Sequence, residues 1–137
     1  PLNEMKNPNT FTHHLPIEKS GVCLMTLMQH HLADILNKEK GNDKFIHLYN
    51  TGVYWVAFEQ SACQLSRVYP QCAFSLFRVK DGSDYIVMTS IRQEDLFSSF
   101  RKHIVCKDEQ GYKVLMASPL PAGEFHQWHI QAVRDTL

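Results

Sequence analysis

The first sixteen residues, "PLNEMKNPNTFTHHLP", have no hydrophobic period and contain three prolines, which predicts a loose arm. From Ser20 the pattern changes. Leu24, Met25, Met28, Leu32, Ile35 and Leu36 recur at helical spacing, predicting a helix over 20–40 with Ser20 as cap and Gly41-Asn42 as stop. "KFIHLYN" and "VYWVAFE" then read as two strands joined through Asn50-Thr51-Gly52. Phe45, Ile46, Leu48 and Tyr49 put bulk on both faces of the first, the mark of a central strand. "QSACQLSRVY" reads as a short helix closed by Pro70, with Ala62, Leu65 and Val68 recurring every three residues.

The second half repeats the alternation. "CAFSLFRV" and "YIVMTSI" are predicted strands around the turn Asp81-Gly82-Ser83. A helix near 92–105 follows, capped by Ser90, with Leu96, Phe97, Phe100 and Ile104 on its inner side. "YKVLMAS" is the last predicted strand, and residues 119–137 form a tail or short helix. The expected fold class is α+β: a mixed, largely antiparallel sheet of about five to six strands flanked by three or four helices. Residues 1–137 are read as a single domain, and no Gly-rich phosphate loop follows any strand, so a doubly wound fold is not expected.

Composition narrows the function classes. At 137 residues and 44% hydrophobic, the chain can bury a core without staples. No apolar run reaches the roughly 20 residues of a membrane span, and no basic-then-apolar leader is visible, so the reading is cytoplasmic with no membrane partner. Fourteen basic and fourteen acidic residues cancel, so nucleic-acid affinity would have to come from a local patch. Cys23, Cys63, Cys72 and Cys106 lie in apolar contexts with no CxxC pair and are expected to be reduced, buried thiols.

Candidate chemistry is sparse. His126 and His129 are three apart and share a helical face, but two histidines without a third ligand do not make a metal site. Ser98-Ser99, Cys106 and His103 are close in sequence, but His103 falls on the outer side of the expected helix and Cys106 just beyond its end, so no nucleophile–base pair is expected. Glu94-Asp95 suits the first turn of a helix. The expectation is therefore a non-enzyme without cofactor. Aromatics are more suggestive: after the turn at Gly52, Tyr54, Val56 and Phe58 share one strand face and Val53, Trp55 and Ala57 the other. A ring left exposed there could stack on a base or wedge between base steps, and Trp55 competes with Tyr54 for that place.

"KFIHLYNTGVYWVAFEQSACQLSRVY" resembles the amino-terminal mismatch-recognition domain of the MutS family, which carries a G-D-F-Y-E-x-F segment followed by E-D-A and a short helix. Gly52, the pair Tyr54-Trp55 and Phe58 match the motif, with Gln60-Ser61-Ala62 in place of E-D-A. "YIVMTSIRQEDLFSSFRKHIVCKDEQGYKVLMAS" is similar to the later strand, helix and strand, so the resemblance spans about residues 20–118. It implies a stand-alone accessory domain that binds DNA or an RNA–DNA hybrid, with Tyr54 where the family has its intercalating ring. Val56 and Val53 replace the family's acidic residues, so mismatch readout is expected to be impaired. The candidate nucleic-acid contacts are Tyr54, Trp55, Lys44, Arg67, Arg78, Lys80 and Arg92. The alternative is a protein-interaction module for a polymerase or reverse transcriptase, for example in a diversity-generating retroelement.

Overall fold

A computed structural model gives the architecture; the described residues are 17–78, 84–98 and 100–137, and of 17–20 the backbone alone. The arm 1–16, the Asp81-Gly82-Ser83 turn and Lys80 therefore lie outside the described residues. The element order is α1 (Ile17–His30), α2 (Leu32–Glu39), β1 (Phe45–Asn50), β2 (Tyr54–Phe58), α3 (Glu59–Val68), β3 (Ala73–Arg78), β4 (Tyr85–Arg92), α4 (Gln93–Ser98), a 3₁₀ turn (Phe100–Lys102), β5 (Ile104–Asp108), β6 (Tyr112–Met116) and α5 (Glu124–Thr136). The fold is α+β. Its six strands run β3-β4-β2-β1-β6-β5, and every described pair is antiparallel.

Both faces of the sheet are covered, so side chains of either parity are buried along the central strands. On one face Ile46, Leu48, Trp55, Ile91 and Leu115 pack with Ala62 and Leu65 of α3 and Leu96 of α4. On the other, Tyr49, Val56, Phe58, Ile86 and Met88 pack with Ile35 of α2 and with Leu24, Leu27 and Met28 of α1. β1 is central, between β2 and β6, as its two-sided bulk predicts. Asn50 Oδ1 accepts the Gly52 N–H at 2.7 Å, and Gly52 takes φ +100°, so this turn is built by an Asn–Gly pairing in which glycine relieves the backbone.

Four expectations are corrected. The helix expected over 20–40 starts at Ile17 and breaks at His31; Met25, expected inward, is exposed. The helix expected over 92–105 ends at Ser98, and Ser90 lies within β4. Two residues expected on its inner face are exposed: Phe97, 48% exposed, and Ile104, which begins β5 and is 65% exposed. The spacing of Leu96, Phe97, Phe100 and Ile104 fits a helix, but β6 offers an open backbone edge, and β-branched Ile104 and Val105 pair with it. The terminal segment is a full helix of 13 residues, not a short one. All four cysteines are free thiols, yet Cys106 on β5 is exposed rather than buried.

Candidate functional site

The expected recognition residues are not brought together. Trp55 is 1% exposed and belongs to the core; its place on the face under α3 and α4 leaves no ring surface for a base, which removes it from the candidate contacts. Lys113 Nζ sits 5.0 Å from its centroid. Tyr54 opens β2, is 41% exposed and stands opposite Arg92 across the β2–β4 pair. Arg92 is engaged with Glu94 at 2.7 Å. Arg67 ends α3 and pairs with Glu124 at 3.5 Å. Arg78 ends β3, at the opposite end of the sheet from Arg92, with its guanidinium 4.9 Å from the Tyr85 ring. Among the described candidates, only Tyr54 and Arg92 are neighbours across strands.

A different cluster forms around Lys44. Phe45, His47 and Tyr49 alternate with Ile46 and Leu48, so they share the α1–α2 face of β1. β6 runs beside β1 and places Tyr112 opposite Tyr49 on that face. The rings of Phe45 and His47 are 6.4 Å apart, and those of His47 and Tyr112 are 6.0 Å apart and nearly parallel. The Tyr112 hydroxyl and His47 Nδ1 share a 2.7 Å hydrogen bond that fixes both rings. Lysines surround the row: Lys44 lies 5.5 Å from the Phe45 ring, and Lys38 and Lys107 lie 4.4 and 5.7 Å from that of Tyr112. The three rings are half-buried and the three lysines exposed. Burial, with Lys38 adding to it, holds the His47 imidazole below its usual value, so the row's positive charge comes from the lysines. Glu109 meets Lys107 at 3.9 Å on the outer side.

A cavity of about 420 Å³ lies elsewhere, between α5 and the start of β4. Glu59, Asp84, His126 and His129 line its polar side, and Tyr85, Phe125, Ile130 and Val133 its apolar wall. Glu59 occupies the corner where β2 turns into α3, with φ +50°, which residues other than glycine rarely adopt. Its Oε2 accepts the Val87 N–H at 3.1 Å and lies 3.0 Å from His129 Nε2. Burial raises the Glu59 carboxyl above its ordinary range; the Val87 and His129 contacts oppose this and Asp84 reinforces it. Among the described residues, no group of three or more His, Cys, Asp or Glu could hold a metal.

No protein family, curated protein or solved structure matches this chain.

The ring row and the cavity were missed for separable reasons. Phe45, His47 and Tyr112 lie on strands more than 60 positions apart, and only the β1–β6 register joins them. The period-two spacing of Phe45 and His47 was visible, but it also fits a two-sided core strand. His126 and His129 were correctly placed on one helical face, yet their carboxylate neighbour, Glu59, is 70 positions away from His129.

Proposed function

We propose that this chain is a non-catalytic nucleic-acid-binding accessory domain that holds unpaired bases on the ring row of β1 and β6. The observation that carries the reading is the run Lys44, Phe45, His47, Tyr112, Lys107, in which three half-buried rings in a row are flanked by exposed cations. Aromatic side chains stack bases of any sequence for about 1–3 kcal/mol each, and cations beside them follow the backbone. A chain of zero net charge can bind this way because the attraction is local. The resemblance to the MutS mismatch-recognition domain suggests a second contact, with Tyr54 as a wedge beside a base in DNA or an RNA–DNA hybrid and Arg92 next to it.

Fluorescence anisotropy with a labelled single strand of about 15 nucleotides tests the ring row. Micromolar binding is expected at low salt, with three lysine contacts giving a slope of about −2 in log K against log salt. Changing Lys38, Lys44 and Lys107 together to Glu should abolish it while the circular dichroism spectrum is unchanged. Absence of binding by the unaltered protein at tens of micromolar would refute the reading. Matched and mismatched duplexes, each with the unaltered chain and Tyr54→Ala, examine the wedge separately.

β5 favours a second reading, that of a docking module for a polymerase or reverse transcriptase. All five of its residues are exposed, among the described residues it pairs only with β6, and its other edge there presents backbone groups that an extended partner segment could join. Introducing proline at Val105 should weaken such an association without affecting oligonucleotide binding; equal loss of both would count against a separate docking edge.

A further inference from the structure

The cavity beside Glu59 combines three features that separately have ordinary explanations. First, two carboxylates share one site: Asp84 contributes to the raised Glu59 carboxyl, so the charges act on one another. Second, the Glu59 carboxylate is half satisfied, because Oε2 takes both the Val87 N–H and His129 while Oε1 has no partner among the described residues. Third, the chain holds Glu59 at positive φ, in the strand-to-helix corner where a glycine would sit without strain. Strained non-glycine residues concentrate where a side chain must be presented in a fixed place. The opposite wall is apolar, formed by Phe125, Ile130 and Val133.

We infer that this cavity binds a small organic cation, an amine or amidine carried on an apolar or aromatic body, with Glu59 and Asp84 meeting the charge. Glu59 and Asp84 line the same side of the cavity and act on one another, so an incoming cation relieves the repulsion between them. An amidinium or ammonium donates hydrogen bonds, which the open Oε1 accepts. The volume of about 420 Å³ is within the range of small-molecule sites, and a one-ring ligand fits it. His126, exposed at the edge of the cavity and three positions from His129 on α5, reports on occupancy. Arg78, over the neighbouring Tyr85 ring, does not line the cavity, and among the described residues no lysine or arginine does. The site shares no residue with the ring row, so its fate is independent of the nucleic-acid reading.

The test uses the whole chain and three matched probes: benzamidine, neutral benzamide and anionic benzoate. Binding is read from the imidazole resonances of His126 and His129 by nuclear magnetic resonance. Saturable shifts with millimolar benzamidine are expected, with neither benzamide nor benzoate reproducing them. Glu59→Gln should weaken benzamidine by on the order of tenfold, the worth of a charge-assisted hydrogen bond. Because Glu59 also supports the fold, Asp84→Asn, at an exposed position, provides a second variant, expected to weaken binding severalfold with an unchanged melting temperature. Equal binding of all three probes, absence of shifts with benzamidine, or full affinity in both variants would each overturn the inference.

Discussion

The carboxylate of Glu39 accepts the backbone N–H of Ser61 at 2.9 Å and the Ser61 hydroxyl at 2.7 Å, so the last residue of α2 caps the first turn of α3 from 22 positions away. Phe58, the residue at the N-cap of α3, offers no side-chain cap of its own. Asn42 Nδ2 donates to the same carboxylate at 3.0 Å and to the Phe45 carbonyl at 2.8 Å, which ties the α2–β1 connection into the network. A buried acid thus stands where three chain segments meet, with its oxygens facing the N-terminal end of α3.

Glu39 should make stability fall with pH. Burial outweighs the hydrogen bonds from Ser61 and Asn42 and raises the carboxyl from 4.5 to about 7. Between those values the folded chain holds a proton that the unfolded chain has released. The contribution is therefore complete below about 4.5 and is lost as pH rises through about 7, amounting to on the order of 3 kcal/mol. Urea unfolding of Glu39→Gln, which keeps an acceptor for the Ser61 N–H, should show a smaller fall in stability there than the parent, the remainder being set by groups such as Glu59, which adds to the fall, and His47, which opposes it. A slope equal to that of the parent would exclude Glu39 as its source.

Tyr54 and Trp55 should differ sharply when truncated. Trp55→Ala opens a cavity in the core at a cost of about 3–5 kcal/mol, whereas Tyr54→Ala, at a half-open strand start, costs about 0.5–1 kcal/mol. Denaturant midpoints decide this, and comparable losses would mean that Tyr54 is also a core residue.

At Glu59, glycine should be tolerated better than alanine. Both variants lose the contact to His129, so their difference isolates the backbone at φ +50°, worth about 1 kcal/mol in favour of Glu59→Gly. Thermal unfolding of the two variants measures it. If the alanine variant is the more stable, the corner carries no strain.

Lys113 is buried by its rings more than by its ion pair. Its ammonium lies 5.0 Å from the Trp55 ring, 5.4 Å from Phe100 and 5.8 Å from Phe97, and it also contacts Asp108. Asp108 is half exposed, so Asp108→Asn should cost less than about 1 kcal/mol. Lys113→Ala, which strips the stem and the cation–π contacts, should cost about 2 kcal/mol. Equal effects would locate the stabilisation in the ion pair.

Local signals were strong where neighbours in sequence are also neighbours in space. The Asn50-Thr51-Gly52 turn, the short helix ending before Pro70 and the strand pair "CAFSLFRV" and "YIVMTSI" are all present, because each closes on itself within a few residues. Residues 100–108 were misread because a helical spacing of apolar side chains cannot report that β6 has an unpaired edge. Trp55 was ambiguous for a related reason. Alternation assigns it a face, and only α3 and α4 packing over that face decides that the ring is buried.

The sequence by itself determined the α+β class, the central place of β1, the absence of a membrane-length apolar run and the pairing of His126 with His129 on one helical face. These follow from periodicity and length, which are properties of a segment alone. Tertiary structure decided which rings face outward, which cations stand near them, and that Glu59, Asp84 and His129 share one cavity. Strand register and helix packing fix those relationships. They depend on backbone hydrogen bonds and burial between segments dozens of residues apart, and no single stretch of the chain encodes them.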